Sequence, residues 1–193
     1  MKRICVFCGS NAGVRPDYAA AAREMGSALV QRNIGLVFGG GRVGLMGIIA
    51  DQVIADGGEA IGVIPADLDK KEIAHSGLTE LHVVRSMHER KALMAKLSDG
   101  FIALPGGFGT YEEFCEVLTW SQLGFQQKPC ALYNVAGFYD PLLALFDHAV
   151  AEGFVRPEHR ELVLVGNSPG DLIEQLANYT PPTKIKWMDL EKS

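Results

Sequence analysis

Two short segments carry most of the residues whose types and spacing could do chemistry. Pro105-Gly106-Gly107-Phe108-Gly109-Thr110-Tyr111-Glu112-Glu113 follows the apolar run Gly100–Leu104 and opens a helix-patterned stretch, so it reads as a strand-to-helix turn with three glycines. Glycines let the backbone approach an anion, free N–H groups at the helix start donate to it, and the helix dipole favours negative charge there. A phosphate therefore fits at Gly106, Gly107, Gly109 and Thr110, with the carboxylate of Glu113 one turn further in. The second segment, Arg85-Ser86-Met87-His88-Glu89-Arg90-Lys91, opens another helix, with Ser86 as N-cap and Glu89 completing a capping box. Arg90, Leu93, Met94 and Leu97 share one stripe of that helix, so an arginine begins the face that should be buried.

Each residue has a plain reading beside its chemical one. A cation in a first helical turn opposes the dipole, a cost that an anionic ligand would offset, but Arg90 could equally snorkel to the rim of a sheet or pair with a structural carboxylate. Thr110-x-x-Glu113 is itself a capping box, so Glu113 could simply secure its helix. A capping carboxylate beside a phosphate turn repels the anion unless it faces another part of the ligand. About a sugar's width from the phosphate, it suits an anomeric carbon that develops positive charge. Cleavage of an N-glycosidic bond needs such a group, to stabilise an oxocarbenium-like transition state and to orient water. Glu112 points roughly 100° away and reads as solvated or at an interface. Lys91 reads as an exposed cation that could reach the same anion, and Met46 and Met87 as residues that pack on a base or as ordinary core.

The elements that must position these residues follow from the alternation of short β-rich runs with helix-length segments. Strands are expected at Arg3–Phe7, Leu36–Phe38, Ala60–Ile64, Leu81–Val84, Phe101–Leu104, Cys130–Tyr133 and Leu162–Val165. Helices are expected near Asp17–Arg32, Gly44–Asp56, Met87–Leu97, Tyr111–Leu123, Tyr139–Glu152 and Pro169–Asn178. The pattern implies an α/β fold with a parallel sheet of about seven strands, doubly wound with helices on both faces, because the strands are apolar throughout. In such sheets ligands bind beyond the carboxyl ends of the strands, where the strand order reverses. Glycine-rich turns fall at three such ends: Cys8–Gly13, Gly39–Gly47 and Pro105–Thr110, which adds Gly9, Ser10, Gly40 and Gly41 to the expected ligand contacts.

Gly39-x-Gly41-x-x-Gly44 matches the dinucleotide fingerprint in letters, with Glu59 twenty positions after Gly39. The context does not fit: the match follows the second strand, and Glu59 precedes its strand instead of ending it. No Gly-Lys-Ser/Thr marks a triphosphate loop either. At 193 residues with 48% apolar content, the chain is expected to form one domain over residues 1–178, followed by a tail, 179–193, in which Trp187 packs against the rest. A net charge of −5 argues against a general nucleic-acid binder. Uncharged stretches are too short to span a membrane, and Met1–Cys8 runs directly into a strand without an apolar signal region, so a cytoplasmic location is expected. Cys5, Cys8, Cys115 and Cys130 read as buried free thiols. The histidines show no metal spacing, His88 reads as a helix-surface residue, and neither metal nor cofactor is expected.

Together, Pro105–Glu113 and Met87-His88-Glu89-Arg90-Lys91 resemble the paired signature of the LONELY GUY family of cytokinin-activating phosphoribohydrolases. The likeness extends to Cys8-Gly9-Ser10, to Gly39–Gly41 with Gly44–Gly47, and to the order of elements over about residues 2–178. It implies a Rossmann-like fold, a homodimer, and hydrolysis of nucleoside 5′-monophosphates, preferably N6-prenylated AMP, to free base and ribose 5-phosphate. It also implies that Arg90 and Glu113 are the catalytic pair and that Gly106, Gly107, Gly109 and Thr110 hold the phosphate. The lysine decarboxylase label often attached to such proteins is set aside, since nothing in the sequence marks a pyridoxal phosphate site. An arginine holds its proton too tightly to protonate the departing base, which leaves that donor unassigned. The competing expectation is a carrier of a nucleotide or molybdopterin-type cofactor, against which Glu113 counts, because a pure phosphate binder gains nothing from a neighbouring negative charge. Tyr111, Phe114, Cys115, Val117, Leu118, Trp120 and Leu123 leave their helix little polar face, which must be buried in a thick core or against a second subunit.

Overall fold

The computed structural model describes residues 1–69 and 74–181; Trp187 and the rest of the expected tail beyond 181 lie outside the described residues. Seven strands form one parallel sheet: β1 Arg3–Phe7, β2 Gly35–Phe38, β3 Ala60–Pro65, β4 Glu80–Val84, β5 Gly100–Ala103, β6 Cys130–Tyr133 and β7 Val163–Gly166. Their spatial order is β4-β3-β2-β1-β5-β6-β7, so the order reverses between β1 and β5. The helices are α1 Pro16–Gln31, α2 Gly44–Ala55, α3 Ala66–Asp69, α4 Met87–Leu97, α5 Phe108–Gln122, α6 Asp140–Ala151, α7 Pro157–Arg160 and α8 Pro169–Ala177.

Successive residues of β1, β2 and β5 feed opposite cores. Ile4, Val6, Leu36, Phe38 and Ile102 pack against α1, α2 and α8, while Cys5, Phe7, Val37, Phe101 and Ala103 pack against α4 and α5. Both faces are therefore dry at the centre of the sheet, and each fully buried large aliphatic or aromatic side chain contributes about 1.5–3 kcal/mol. The expected strands and long helices are all present within a residue or two, with one exception that matters. Helix α5 begins at Phe108, three residues before the expected Tyr111, because Gly107 serves as its N-cap. The short α3 and α7 and a 3-10 turn at Val135–Gly137 carry no periodicity that the sequence could announce. Cys5, Cys8 and Cys130 are buried free thiols as expected, whereas Cys115 is only half-buried.

The glycine turns at the carboxyl ends of β1, β2 and β5 are joined by backbone. Gly9 N–H donates to Pro105 O at 3.0 Å, and Leu45 N–H donates to Gly9 O at 3.0 Å. The start of α2 thus lies directly on the turn after β1. Gly44 has φ +61, and a Cβ there would stand 2.3 Å from Ser10 C and 2.4 Å from Asn11 N, both backbone atoms. Glu59, the acid of the apparent dinucleotide fingerprint, lies at the other end of the strands, where it accepts from Arg3 Nε at 2.7 Å and Arg3 Nη2 at 2.9 Å. Among the described residues no helix is long and apolar enough to cross a membrane.

Gly57 makes a control for Gly44, since it has φ +79 and open space around its Cβ position. Gly57→Ala should lower unfolding free energy in urea by about 1 kcal/mol through the backbone alone, and Gly44→Ala by about 2 kcal/mol or more. Equal losses in the two variants would show that α2 is free to move off the β1 turn.

Candidate active site

Helix α4 starts as its sequence implies: Ser86 Oγ accepts from Glu89 N–H at 3.2 Å. The Glu89 carboxylate reaches one residue further back than a standard capping box, accepting from Arg85 N–H at 2.9 Å. This start aims Arg90 under the carboxyl ends of the strands, where it is 9% exposed. Its Nε donates to Val63 O at 3.1 Å and its Nη2 to Gly39 O at 3.2 Å, carbonyls of β3 and of the turn after β2. Its Nη1 lies 3.5 Å from Glu113 Oε1 and 3.8 Å from Met87 Sδ. The two candidate catalytic side chains, far apart in sequence, therefore face each other. At 3.5 Å the pair is longer than a direct hydrogen bond, so both groups keep bonding capacity for a third molecule.

Gly39 is what lets the guanidinium pass. A Cβ at Gly39 would stand 1.9 Å from Arg90 Nη2 and 3.2 Å from Met46 Sδ, so Met46 and Met87 both border the arginine. Met46 is half-buried and Met87 is 43% exposed, which leaves the latter sulfur-bearing chain open to solvent beside the pair.

No side chain caps α5 at Gly107, so the N–H groups of its first turn, at Phe108, Gly109 and Thr110, form an uncapped positive end. A Cβ added at Gly107 or Gly109 would meet nothing within 4 Å, whereas one at Gly106 would stand 2.1 Å from Thr110 Oγ1. The turn is thus closed tightly against Thr110 on one side and open on the other. Because the cap is Gly107, Thr110 is inside the helix and Glu113 stands a turn beyond the N-terminus. The capping-box reading of Glu113 is therefore wrong: its carboxyl is too far along the helix to reach the cap.

Glu113 is 9% exposed. Burial pushes its carboxyl above the ordinary glutamate range; Arg90 opposes that rise, Glu112 and Glu116 add to it, and Lys91 opposes them. The thiols of Cys5 and Cys8 nearby are also pushed up by burial, which leaves them as thiols and not nucleophiles. A cleft of about 290 Å³ opens over the turns after β1 and β5, lined by Gly9, Ser10, Gly106 and Gly107. Tyr18 and Phe138, whose rings meet at 77° with centroids 5.7 Å apart, also line it. Arg90 and Glu113 are not among its lining residues; the β5–α5 segment is the link, since it supplies both the cleft's glycines and Glu113.

Other expected contacts are placed differently. Gly40 and Gly41 are buried under the following crossover: Gly40 O accepts from His75 N–H at 2.9 Å and Gly41 bridges Ala74. Lys91 is not an exposed cation; its side chain is 10% exposed and its ammonium donates to Glu112 Oε1 and, at 2.9 Å, to Glu116 Oε1. Glu116, Tyr18 and Phe138 were not singled out from sequence. Tyr18 had a signal, an aromatic in the first turn of the helix that follows a glycine turn, while the carbonyls of Val63 and Gly39 had none. His88 is exposed on α4 as expected. Among the described residues, no group of three or more His, Cys, Asp or Glu could hold a metal ion.

A family model described as "possible lysine decarboxylase" matches residues 46–176. A probable cytokinin riboside 5′-monophosphate phosphoribohydrolase of Oryza sativa subsp. japonica is 50% identical, covering 96% of this chain and 78% of that protein. A cytokinin riboside 5′-monophosphate phosphoribohydrolase of Arabidopsis thaliana is 52% identical, covering 93% of this chain and 84% of that protein. Among solved structures, a molybdenum cofactor binding protein from Rippkaea orientalis superposes with a TM-score of 0.70 at 22% identity, covering 92% of this chain and 96% of that one. The molybdenum cofactor carrier protein of Chlamydomonas reinhardtii gives 0.70 at 20% identity, covering 92% and 99%. At that identity the likeness shows the Rossmann-like fold alone.

Gly39→Ala should dislodge Arg90 from both carbonyls and lower unfolding free energy in urea by about 2–4 kcal/mol, the cost of leaving buried charged and polar groups unpaired. Gly107→Ala, with open space at its Cβ, should stay within about 1 kcal/mol of wild type. A Gly39→Ala variant as stable as Gly107→Ala would mean that the arginine is not held where the structure has it.

Proposed function

The chain belongs to the cytokinin riboside 5′-monophosphate phosphoribohydrolase family, and from that premise we propose that it hydrolyses the N-glycosidic bond of N6-prenylated AMP, releasing free base and ribose 5-phosphate. The protein is a hydrolase in this reading. The observation that carries its mechanism is the buried Arg90–Glu113 pair beside the uncapped start of α5.

The 5′-phosphate sits on the first-turn N–H groups of α5 and the Thr110 hydroxyl, where the helix dipole and the glycine backbone favour an anion. The turn after β1, at Gly9 and Ser10, closes the other side of the cleft. The ribose then extends towards Glu113, whose carboxylate stabilises the positive charge that develops at C1′ as the bond to the base breaks. The same carboxylate orients the attacking water and takes its proton, while the electron pair of the broken bond leaves with the base. Arg90 fixes ribose or phosphate oxygens with guanidinium N–H groups that the two carbonyls do not use. It does not protonate the base; solvent water does so in this scheme.

We further propose a homodimer and a cytoplasmic location. Helix α6 has no fully buried residue in the protomer, and its Leu142, Leu143 and Phe146 are half-buried beside Tyr111, Leu118 and Trp120 of α5, an apolar surface that a second copy would cover. A mass of twice the protomer's by light scattering at micromolar concentration is expected, and a monomeric mass would overturn the dimer. The free cysteines suit a reducing compartment.

The test is incubation with AMP and with N6-isopentenyl-AMP, following free base and ribose 5-phosphate by chromatography. Base should be released, faster from the prenylated nucleotide, and Glu113→Gln and Arg90→Ala should each lose about 10²–10⁴-fold in turnover while remaining folded. Because Glu113 acts as the carboxylate and burial raises its pKa, turnover should fall with decreasing pH through a midpoint above about 4.3, the value of an unperturbed glutamate. Tight binding of the nucleotide with no release would replace this reading with a cofactor or nucleotide carrier.

A further inference from the structure

Lys91 has no role in the scheme above, yet it is nearly as covered as the catalytic pair. It follows Arg90 in α4, and both of its carboxylate partners, Glu112 and Glu116, flank Glu113 in α5. Three ion pairs therefore cross between the same two helices: Arg90 to Glu113 and, from the next residue of α4, Lys91 to Glu112 and Glu116 on either side of Glu113. Among the described residues Glu116 Oε2 is buried without a hydrogen-bond partner, and its other oxygen accepts from the ammonium. Without Lys91, Glu112 and Glu116 would lose their ion pair beside Glu113, and like charges at i,i+3 and i,i+4 repel.

We propose that Lys91 is a positioning residue of the hydrolysis: by bridging Glu112 and Glu116 it holds α4 against α5 at the level of Arg90 and Glu113 and neutralises the carboxylates that flank Glu113. This rests on the hydrolytic reading above. The groups that act on Glu113 are Arg90 and Lys91 from α4, Glu112 and Glu116 from its own helix, and Cys5 and Cys8 from β1 behind it; the thiols stay uncharged. Of these, Lys91 is the cation paired with the flanking carboxylates, so it joins Arg90 in favouring the ionised form of Glu113 against burial and its neighbours. It touches no substrate in this scheme.

The experiment compares Lys91→Met, Lys91→Arg and Glu116→Gln with wild type in steady-state kinetics on N6-isopentenyl-AMP from pH 5 to 9. A carbon-13 NMR titration of the Glu113 carboxyl, assigned by loss of its signal in Glu113→Gln, runs alongside without substrate. Lys91→Met should raise the Glu113 midpoint by about one pH unit, so that kcat falls most at the acid end, by up to about tenfold at pH 5, and by about twofold or less at pH 9, with KM within about twofold. Lys91→Arg should restore most of the rate, and Glu116→Gln, which removes one flanking charge, should move the midpoint down. If Lys91→Met does not fold, Lys91→Gln, which removes the charge but keeps a polar head, carries the same expectation. A raised KM with an unmoved midpoint would overturn the proposal and make Lys91 a substrate ligand; an unmoved midpoint and unchanged kinetics would make its ion pairs incidental. Wild-type protein that releases no base would overturn the hydrolytic reading instead, and the titration, which needs no turnover, would still accept or reject the charge-balancing role of Lys91.

Discussion

A guanidinium that is 9% exposed costs several kcal/mol unless it is partnered, and the way Arg90 meets that demand organises the carboxyl edge of the sheet. Its Nε and Nη2 bind carbonyls from β3 and from the turn after β2, while its Nη1 faces Glu113 on α5. One side chain on α4 thereby fixes where a strand end, a glycine turn and a second helix lie relative to each other. Gly39 carries no side chain because the guanidinium occupies the space a Cβ would need.

The result is a site of divided charge. The start of α5 is uncapped and attracts an anion, yet a turn further along the same helix stands a buried carboxylate that repels one. A small anion alone would meet both fields and gain little. In the proposed scheme a phosphate joined to a sugar meets them separately, with the phosphate at the helix start and the carbon that becomes cationic at the carboxylate. In that scheme the division of charge along one helix favours a phosphorylated glycoside over a free phosphate.

Much of the sheet was legible because its strands are short, apolar and separated by helix-length segments, a pattern that a doubly covered parallel sheet produces directly. The start of α5 was not, since Thr110-x-x-Glu113 has the letters of a capping box, and a glycine cap such as Gly107 leaves no side-chain signal. Gly40 and Gly41 show the same limit: the glycine-rich letters are present, but the crossover at Ala74 and His75 covers them. Arg90 was visible as a cation on an apolar stripe, whereas the carbonyls that hold it belong to Val63 and Gly39, whose side chains say nothing about it. Lys91 could be read from sequence only as exposed, because the carboxylates that cover it become its neighbours when α4 and α5 dock.

That docking also shows why the charges of the site belong to the fold as well as to the chemistry. Taken alone, α5 has Glu112 and Glu116 at i,i+4 and Glu113 and Glu116 at i,i+3, pairs that repel; α4 taken alone has Arg90 at the end of its first turn, where the dipole disfavours a cation. Each helix carries a charge pattern unfavourable in isolation, and each supplies what the other lacks when they meet across Arg90–Glu113 and Lys91–Glu112/Glu116. Apolar burial around Met94, Phe114 and Val117 brings the two helices together but, being non-directional, does not choose their register. The ion pairs add direction, since they join particular positions: Arg90 to Glu113, and Lys91 to Glu112 and Glu116. The contacts that join the two helices therefore also fix the 3.5 Å separation of Arg90 and Glu113, the two groups on which the proposed chemistry depends.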